Sequence, residues 1–156
     1  MKKEEIKEIL IKTLEKLYTE QGILIYNENG TSKGSKHGHE RSIVAWFFHY
    51  LVEKIEALGM EINIDVEYNR RYLCPKLLEG KHKIPDLIIH KRYEDNNIAC
   101  IEFKGWWSPS NKIEEDKEKV KKFIKEYKYK FGIVIIFAQK LEDIHQNIYI
   151  YTKDNL

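Results

Sequence analysis

With 156 residues, 42% of them apolar and 12% aromatic, the chain is long enough to bury one core, and a single domain is expected. No run of about 18 apolar residues occurs, which argues against a membrane-spanning helix. The N-terminal MKKEEIKEIL mixes charges with apolar residues and does not read as a signal peptide, so a cytoplasmic location is expected. The net charge of +2 is no footprint of nucleic acid, and Cys74 and Cys100 stand apart from any CxxC or Cys/His set, which argues against structural zinc and a disulfide framework.

Residues 3–19 place Ile6, Ile9, Leu10, Leu14 and Leu17 on one helical face, and Gly22 ends the pattern. That helix reads as packing. Residues 27–38, NENGTSKGSKHG, form a flexible loop by composition. The loop lacks the spacing of a Walker A motif, although Lys33 and Lys36 could lie over phosphates. A second helix is expected over 39–57, ended by Gly59, with Ile43, Val44, Phe47, Phe48, Leu51, Val52 and Ile55 as a wide apolar stripe. Glu40 lies three, four and seven residues before Ile43, Val44 and Phe47. It therefore sits at the top of the buried face. The helix dipole alone would favour a first-turn glutamate.

INIDVEY, residues 62–68, alternates as a first strand, with Asp65 and Glu67 on the face opposite Ile62, Ile64, Val66 and Tyr68. The connection 69–83 is broken by Pro75 and Gly80, and Arg70 and Arg71 at its start suit a phosphate. Next come two apolar runs, Leu87–Ile89 and Ile98–Ile101, around the turn formers Glu94–Asn97, which predict a β-hairpin. Glu102 and Lys104 share a face because strand side chains alternate. A turn centred near Glu94 sets Asp86 opposite Glu102, within a residue or two. Two carboxylates about 5 Å apart repel by roughly 3 kcal/mol at an effective dielectric of 20. A hard divalent cation removes that penalty, and Mg²⁺ is held by one or two carboxylates plus water and substrate oxygens. The plainer alternative is a hairpin that happens to carry a surface Glu–Lys pair.

Pro85-Asp86, fifteen residues, then Glu102-Phe103-Lys104 resembles the signature of the PD-(D/E)XK nuclease superfamily, the restriction-endonuclease-like fold. The resemblance implies an α-β-β-β-α-β core with a mixed sheet flanked by helices, here preceded by an extra N-terminal helix. The core would occupy 38–152, with 1–37 as helix and loop. It also implies a metal-dependent endonuclease that hydrolyses phosphodiester bonds of nucleic acid, with DNA as the expected substrate. Asp86 and Glu102 would hold Mg²⁺, or Mn²⁺, with the backbone carbonyl of Phe103. Lys104 would complete the catalytic set. Glu40, in Gly38-His39-Glu40-Arg41 before the apolar helix, resembles the acidic helix residue that often completes the metal site, and Glu67 is its rival. Arg41, Arg70, Arg71 and Lys119 are the candidate nucleic-acid contacts, and His39 flanks Glu40. A two-fold dimer would suit double-strand cleavage. The loop before Glu40-Arg41 is similar to that of archaeal-type Holliday-junction resolvases, from which the long 69–83 connection departs. The reading from another class is a non-catalytic nucleic-acid-binding or assembly subunit of a mobile-element or defence complex.

Trp106 and Trp107 follow Lys104 directly and could either stack on unpaired bases or pack in the core. Asn111 with Glu114 predicts an N-cap for a helix running to about Tyr129, with Ile113, Val120, Phe123, Ile124 and Tyr127 on one stripe. Seven lysines fall between Lys117 and Lys130. Asp116-x-x-Lys119 resembles a pattern that follows the motif in some superfamily members. Gly132–Phe137 is an apolar run expected to be a strand buried on both faces and parallel to the Ile98–Lys104 strand. IYIYT, residues 148–152, is expected as an edge strand.

Overall fold

Two helices cover one face of a five-stranded sheet and a third covers the other, so the molecule is α/β with a mixed sheet flanked by helices. The computed structural model describes residues 1–25, 40–67, 70–71, 74–75, 77–78 and 81–156. The loop with Lys33 and Lys36, His39, Tyr68 and Gly80 lie outside the described residues.

Helix α1 (Lys3–Gln21) buries Ile6, Ile9, Leu10, Leu14 and Leu17 as the periodicity predicts, and adds Thr13 and Tyr18. Thr13 is tolerated inside because its hydroxyl donates to the Ile9 carbonyl at 2.8 Å. The Tyr18 hydroxyl donates to the Ala138 carbonyl at 2.6 Å. Helix α2 (Glu40–Ala57) buries Ile43, Phe47, Tyr50, Leu51 and Ile55 against the same face. It ends where Gly59 takes φ +62°. There the Met60 N–H donates to the Ile55 carbonyl and the Gly59 N–H to Glu56, a Schellman closure that needs the left-handed residue.

The sheet runs β1 (Asn63–Val66), β2 (Leu87–Lys91), β3 (Asn96–Gly105), β4 (Phe131–Phe137) and β5 (Ile148–Tyr151), in that spatial order. β1, β2 and β3 are antiparallel neighbours, β4 lies parallel to β3, and β5 closes the edge antiparallel to β4. A crossover through helix α3 (Ser110–Tyr127) makes the parallel pair possible. β4 is buried along nearly its whole length, as its apolar run predicts. Within 69–83, read from sequence as a plain connection, the structure places two short two-residue ladders, Arg70–Arg71 with Cys74–Pro75 and Leu77–Leu78 with Lys81–His82.

One expectation is corrected. α3 starts at Ser110 with Pro109 as its cap residue, and no side chain caps it. Asn111 is thus inside the first turn, and Glu114 pairs with Lys117 instead. The stripe of α3 also carries Asp116, which is buried with Val120, Phe123 and Ile124. The position was readable: Asp116 lies four residues before Val120 and seven before Phe123, on the apolar face. No helix among the described residues is long and apolar enough to cross a membrane.

Candidate functional site

The hairpin sets the site. Leu87 faces Ile101, Ile88 faces Cys100 and Ile89 faces Ala99. A register shift between Ile89 and His90 takes up the extra residue near the turn, so the pairing beyond it is fixed. Extending that register by one residue brings Asp86 opposite Glu102, as the sequence predicts. The Phe103 N–H donates to Asp86 Oδ2 at 2.8 Å, tying the aspartate across to β3. Pairing alternation divides β3 in two. Ala99, Ile101 and Phe103 join the core under α1 and α2. Cys100 joins the core under α3, and Glu102 and Lys104 follow it on that face.

On that face α3 supplies two partners. Lys104 Nζ lies 2.8 Å from Asp116 Oδ2 and donates to the Phe103 carbonyl at 3.1 Å. Lys119 Nζ lies 2.7 Å from Glu102 Oε1 and donates to the Ile84 carbonyl at 2.7 Å. Three residues separate Asp116 from Lys119, so the two side chains emerge from one side of the helix. Lys119, expected as a nucleic-acid contact, is turned inward onto the motif glutamate. Glu102 Oε1 and Asp116 Oδ2 are fully buried and have no hydrogen bond of good geometry. Each has an ammonium at ion-pair distance, Lys119 for Glu102 and Lys104 for Asp116.

The electrostatics follow from this crowding. Burial pushes the Glu102 carboxyl up to about 8, helped by Asp86 and opposed by Lys119. Burial also raises Asp86, against the Phe103 N–H and the two lysines. Glu40 is raised by burial and by Asp86, while Lys104 and the Gly105 N–H that it accepts pull it down. Burial works against the Lys104 ammonium, but Asp116, with Glu40 and Asp86, outweighs it and holds Lys104 above its ordinary value. Four carboxylates, Asp86, Glu102, Glu40 and Asp116, thus share the space with two ammoniums, Lys104 and Lys119. If all were ionised, the balance would be two negative charges.

Glu40 reaches this region from the first turn of α2, on the opposite face of the sheet, at the end of β3. It lines an open cleft of about 450 Å³ together with Arg41, Asp86 and Glu67. Glu67 takes a left-handed backbone, φ 46°, while its N–H donates to the Asp86 carbonyl at 3.0 Å. Such a conformation costs a non-glycine residue about 1–2 kcal/mol. Among the described residues no three His, Cys, Asp or Glu side chains gather as a ready-made metal cage. The oxygen donors present at the hairpin are the Asp86 and Glu102 carboxylates and the Phe103 carbonyl. This all-oxygen set suits Mg²⁺ or Mn²⁺, which keep water and substrate oxygens in their shells.

The side chains of Arg70 and Arg71 lie outside the described residues. Trp107 packs into the core, its ring so close to Gly105 that an added Cβ would come within 2.2 Å. Trp106 stays 37% exposed and meets Trp107 edge-on.

Sequence reasoning missed a second charged cluster at the other end of the hairpin. His90 Nε2 lies 2.7 Å from Asp65 Oδ2, and the Arg92 guanidinium grips both oxygens of Asp65. Only the β1–β2 pairing brings these three together. Comparison with protein-family models, with curated proteins and with solved structures gave no match.

Proposed function

We propose that the chain is a metal-dependent nuclease of the PD-(D/E)XK type that hydrolyses phosphodiester bonds in nucleic acid, with DNA as the expected substrate. One observation carries the reading. Asp86, Glu102 and Lys104 meet on one face at the end of a hairpin, with a buried carboxylate raised to about 8. Such a cluster is unfavourable without a cation. Apart from the two short ladders between β1 and β2, the element order from α2 to β4, helix, three sheet strands, helix, strand, supports a restriction-endonuclease-like core.

Asp86, Glu102 and the Phe103 carbonyl would hold Mg²⁺ or Mn²⁺. When bound, the ion supplies a water of lowered pKa and a polarised phosphoryl oxygen. The Phe103 N–H fixes Asp86, so one donor is oriented in advance. Lys104, held between the Phe103 carbonyl and Asp116, keeps a fixed positive charge where phosphoryl oxygens gain negative charge. Glu40 borders the same space and keeps Lys104 protonated. Arg41, exposed in the cleft, would contact a neighbouring phosphate.

The ion pairs favour a second reading, a non-catalytic nucleic-acid-binding or assembly subunit, because Lys104–Asp116 and Lys119–Glu102 already offset part of the cluster's charge. One experiment separates the two. The wild type and Asp86→Asn are compared on linear duplex, supercoiled plasmid, single-stranded DNA, RNA and a four-way junction with Mg²⁺ or Mn²⁺, alongside thermal melting with and without metal. Metal-dependent cleavage lost in Asp86→Asn establishes the nuclease. No cleavage together with no metal-dependent rise in melting temperature leaves the subunit reading.

A further inference from the structure

The carboxylates account for only one end of the 450 Å³ cleft. Away from the charged end, where Glu67 and Arg41 join Asp86 and Glu40, its wall is apolar. Val44, Ala45 and Phe48 project from successive turns of α2, and Val66 faces them from β1. Val66 is 46% exposed, and Ala45 is exposed as well. A centre that handled phosphate and metal alone would have no use for this wall, and exposed apolar surface beside a polar site is where a ligand's apolar part is buried. Because Asp86 and Glu40 belong both to the cleft and to the candidate centre, a group on the wall lies beside a group at the carboxylates.

We infer that the wall receives one unstacked nucleobase, next to the phosphate at Asp86, Glu102 and Lys104, so that the preferred substrate is an unpaired or splayed strand rather than an intact duplex. The inference rests on the nuclease reading and deepens it. A base inside a duplex is already stacked on both faces and gains nothing from the wall. An unpaired base has apolar faces to bury, and the ring of Phe48, partly buried and held by the core, offers a stacking platform. The exposed Arg41, one turn before Val44 and Ala45, is placed for the next phosphate along the strand.

The test compares cleavage rates on single-stranded, splayed-end and blunt duplex DNA of one sequence. It adds fluorescence-anisotropy binding of a labelled oligothymidylate in a Lys104→Met background. The variants are Phe48→Leu, which keeps apolar volume and removes the ring, and Ala45→Glu, an exposed position where a carboxylate would face the base. Circular dichroism verifies the fold of each. The wild type should prefer unpaired strands by about tenfold, and both variants should bring the ratio close to one and weaken oligothymidylate binding. Equal or better cleavage of blunt duplex by the wild type overturns the inference, as does a ratio that neither variant moves. A change in sedimentation of Ala45→Glu without a change in the ratio also overturns it, and points to a second copy of the chain on the wall. Wild type and Asp86→Asn equally inactive on every substrate would instead remove the nuclease reading beneath it.

Discussion

Asp65 and Glu102 are carboxylates on the same sheet, beside the same hairpin, and their neighbours drive them in opposite directions. Burial alone would raise Asp65, but Arg92 and His90 outweigh it and hold the carboxyl below its ordinary value. At Glu102 burial and Asp86 win over Lys119, and the carboxyl rises to about 8. The first cluster has a cation or polar partner for each oxygen and is complete as folded. The second has more carboxylates than ammoniums and leaves buried oxygens without a good hydrogen bond. A matched cluster ties strands together. An unmatched one holds perturbed carboxyls, the property that marks candidate functional sites.

Cleavage is the readout that breaks this comparison most sharply. Replacing Lys104 with Ala removes the fixed cation and should lower the metal-dependent cleavage rate at least a thousandfold, about 4 kcal/mol of transition-state stabilisation. Near-wild-type turnover would refute the assignment of Lys104. Asp65→Asn should leave the rate per folded molecule unchanged.

The pH dependence of stability should separate the clusters next. The folded-state value of Glu102 lies above its unfolded one, so the folded protein binds the extra proton. Stability is therefore greatest below about pH 4.5 with respect to this group and falls as pH rises toward 8, by up to about 1.4 kcal/mol per pH unit. Denaturation by urea in chelator, followed from pH 5 to 9, should show that decline in the wild type. A flatter profile is expected in Glu102→Gln. Equal slopes in the two proteins would mean that Glu102 ionises normally. Asp65 has the opposite sign, since its lowered value contributes stability above its unfolded value and loses it as pH falls through the acidic range.

Asp65→Asn itself tests the matched cluster. It leaves a buried imidazole and a half-exposed guanidinium without their carboxylate, and should cost about 1–3 kcal/mol in urea denaturation. The metal-dependent rise in melting temperature should persist. Loss of that rise would mean the two ends of the hairpin are coupled and the comparison is false.

What could be read from the sequence divides along the same line. The apolar periods of α1 and α2, the buried run of β4 and the hairpin register all follow local patterns, so Asp86 opposite Glu102 was predictable from turn and alternation. The partners were not. Whether Lys119 meets Glu102 or solvent depends on how α3 rotates over β3 after a crossover, which no local period encodes. Asp116 announced its burial by sitting on the stripe of Val120 and Phe123, but not that it would grip Lys104. His90 and Arg92 met Asp65 only through strand pairing. The cap expected at Asn111 failed because Pro109, with φ preset near −60°, takes the cap position and the helix starts two residues earlier.

The smallest effect belongs to the outer face of α3, and it shows why distance alone does not rank these pairs. Lys121 lies 2.7 Å from Glu118, the same separation as Lys119 from Glu102. Glu118 is 62% exposed and Glu102 is 2% exposed. Water and salt screen the outer pair, and holding two mobile side chains together offsets much of its attraction. Glu118→Ala should therefore leave the melting temperature within replicate scatter at physiological ionic strength. Lys119→Met should lower it measurably, because the buried Glu102 carboxyl and the Ile84 carbonyl then lose their shared partner. If the two variants melted alike, burial would not be what distinguishes the inner face of α3, and the case for a poised site at Glu102 would lose its physical basis.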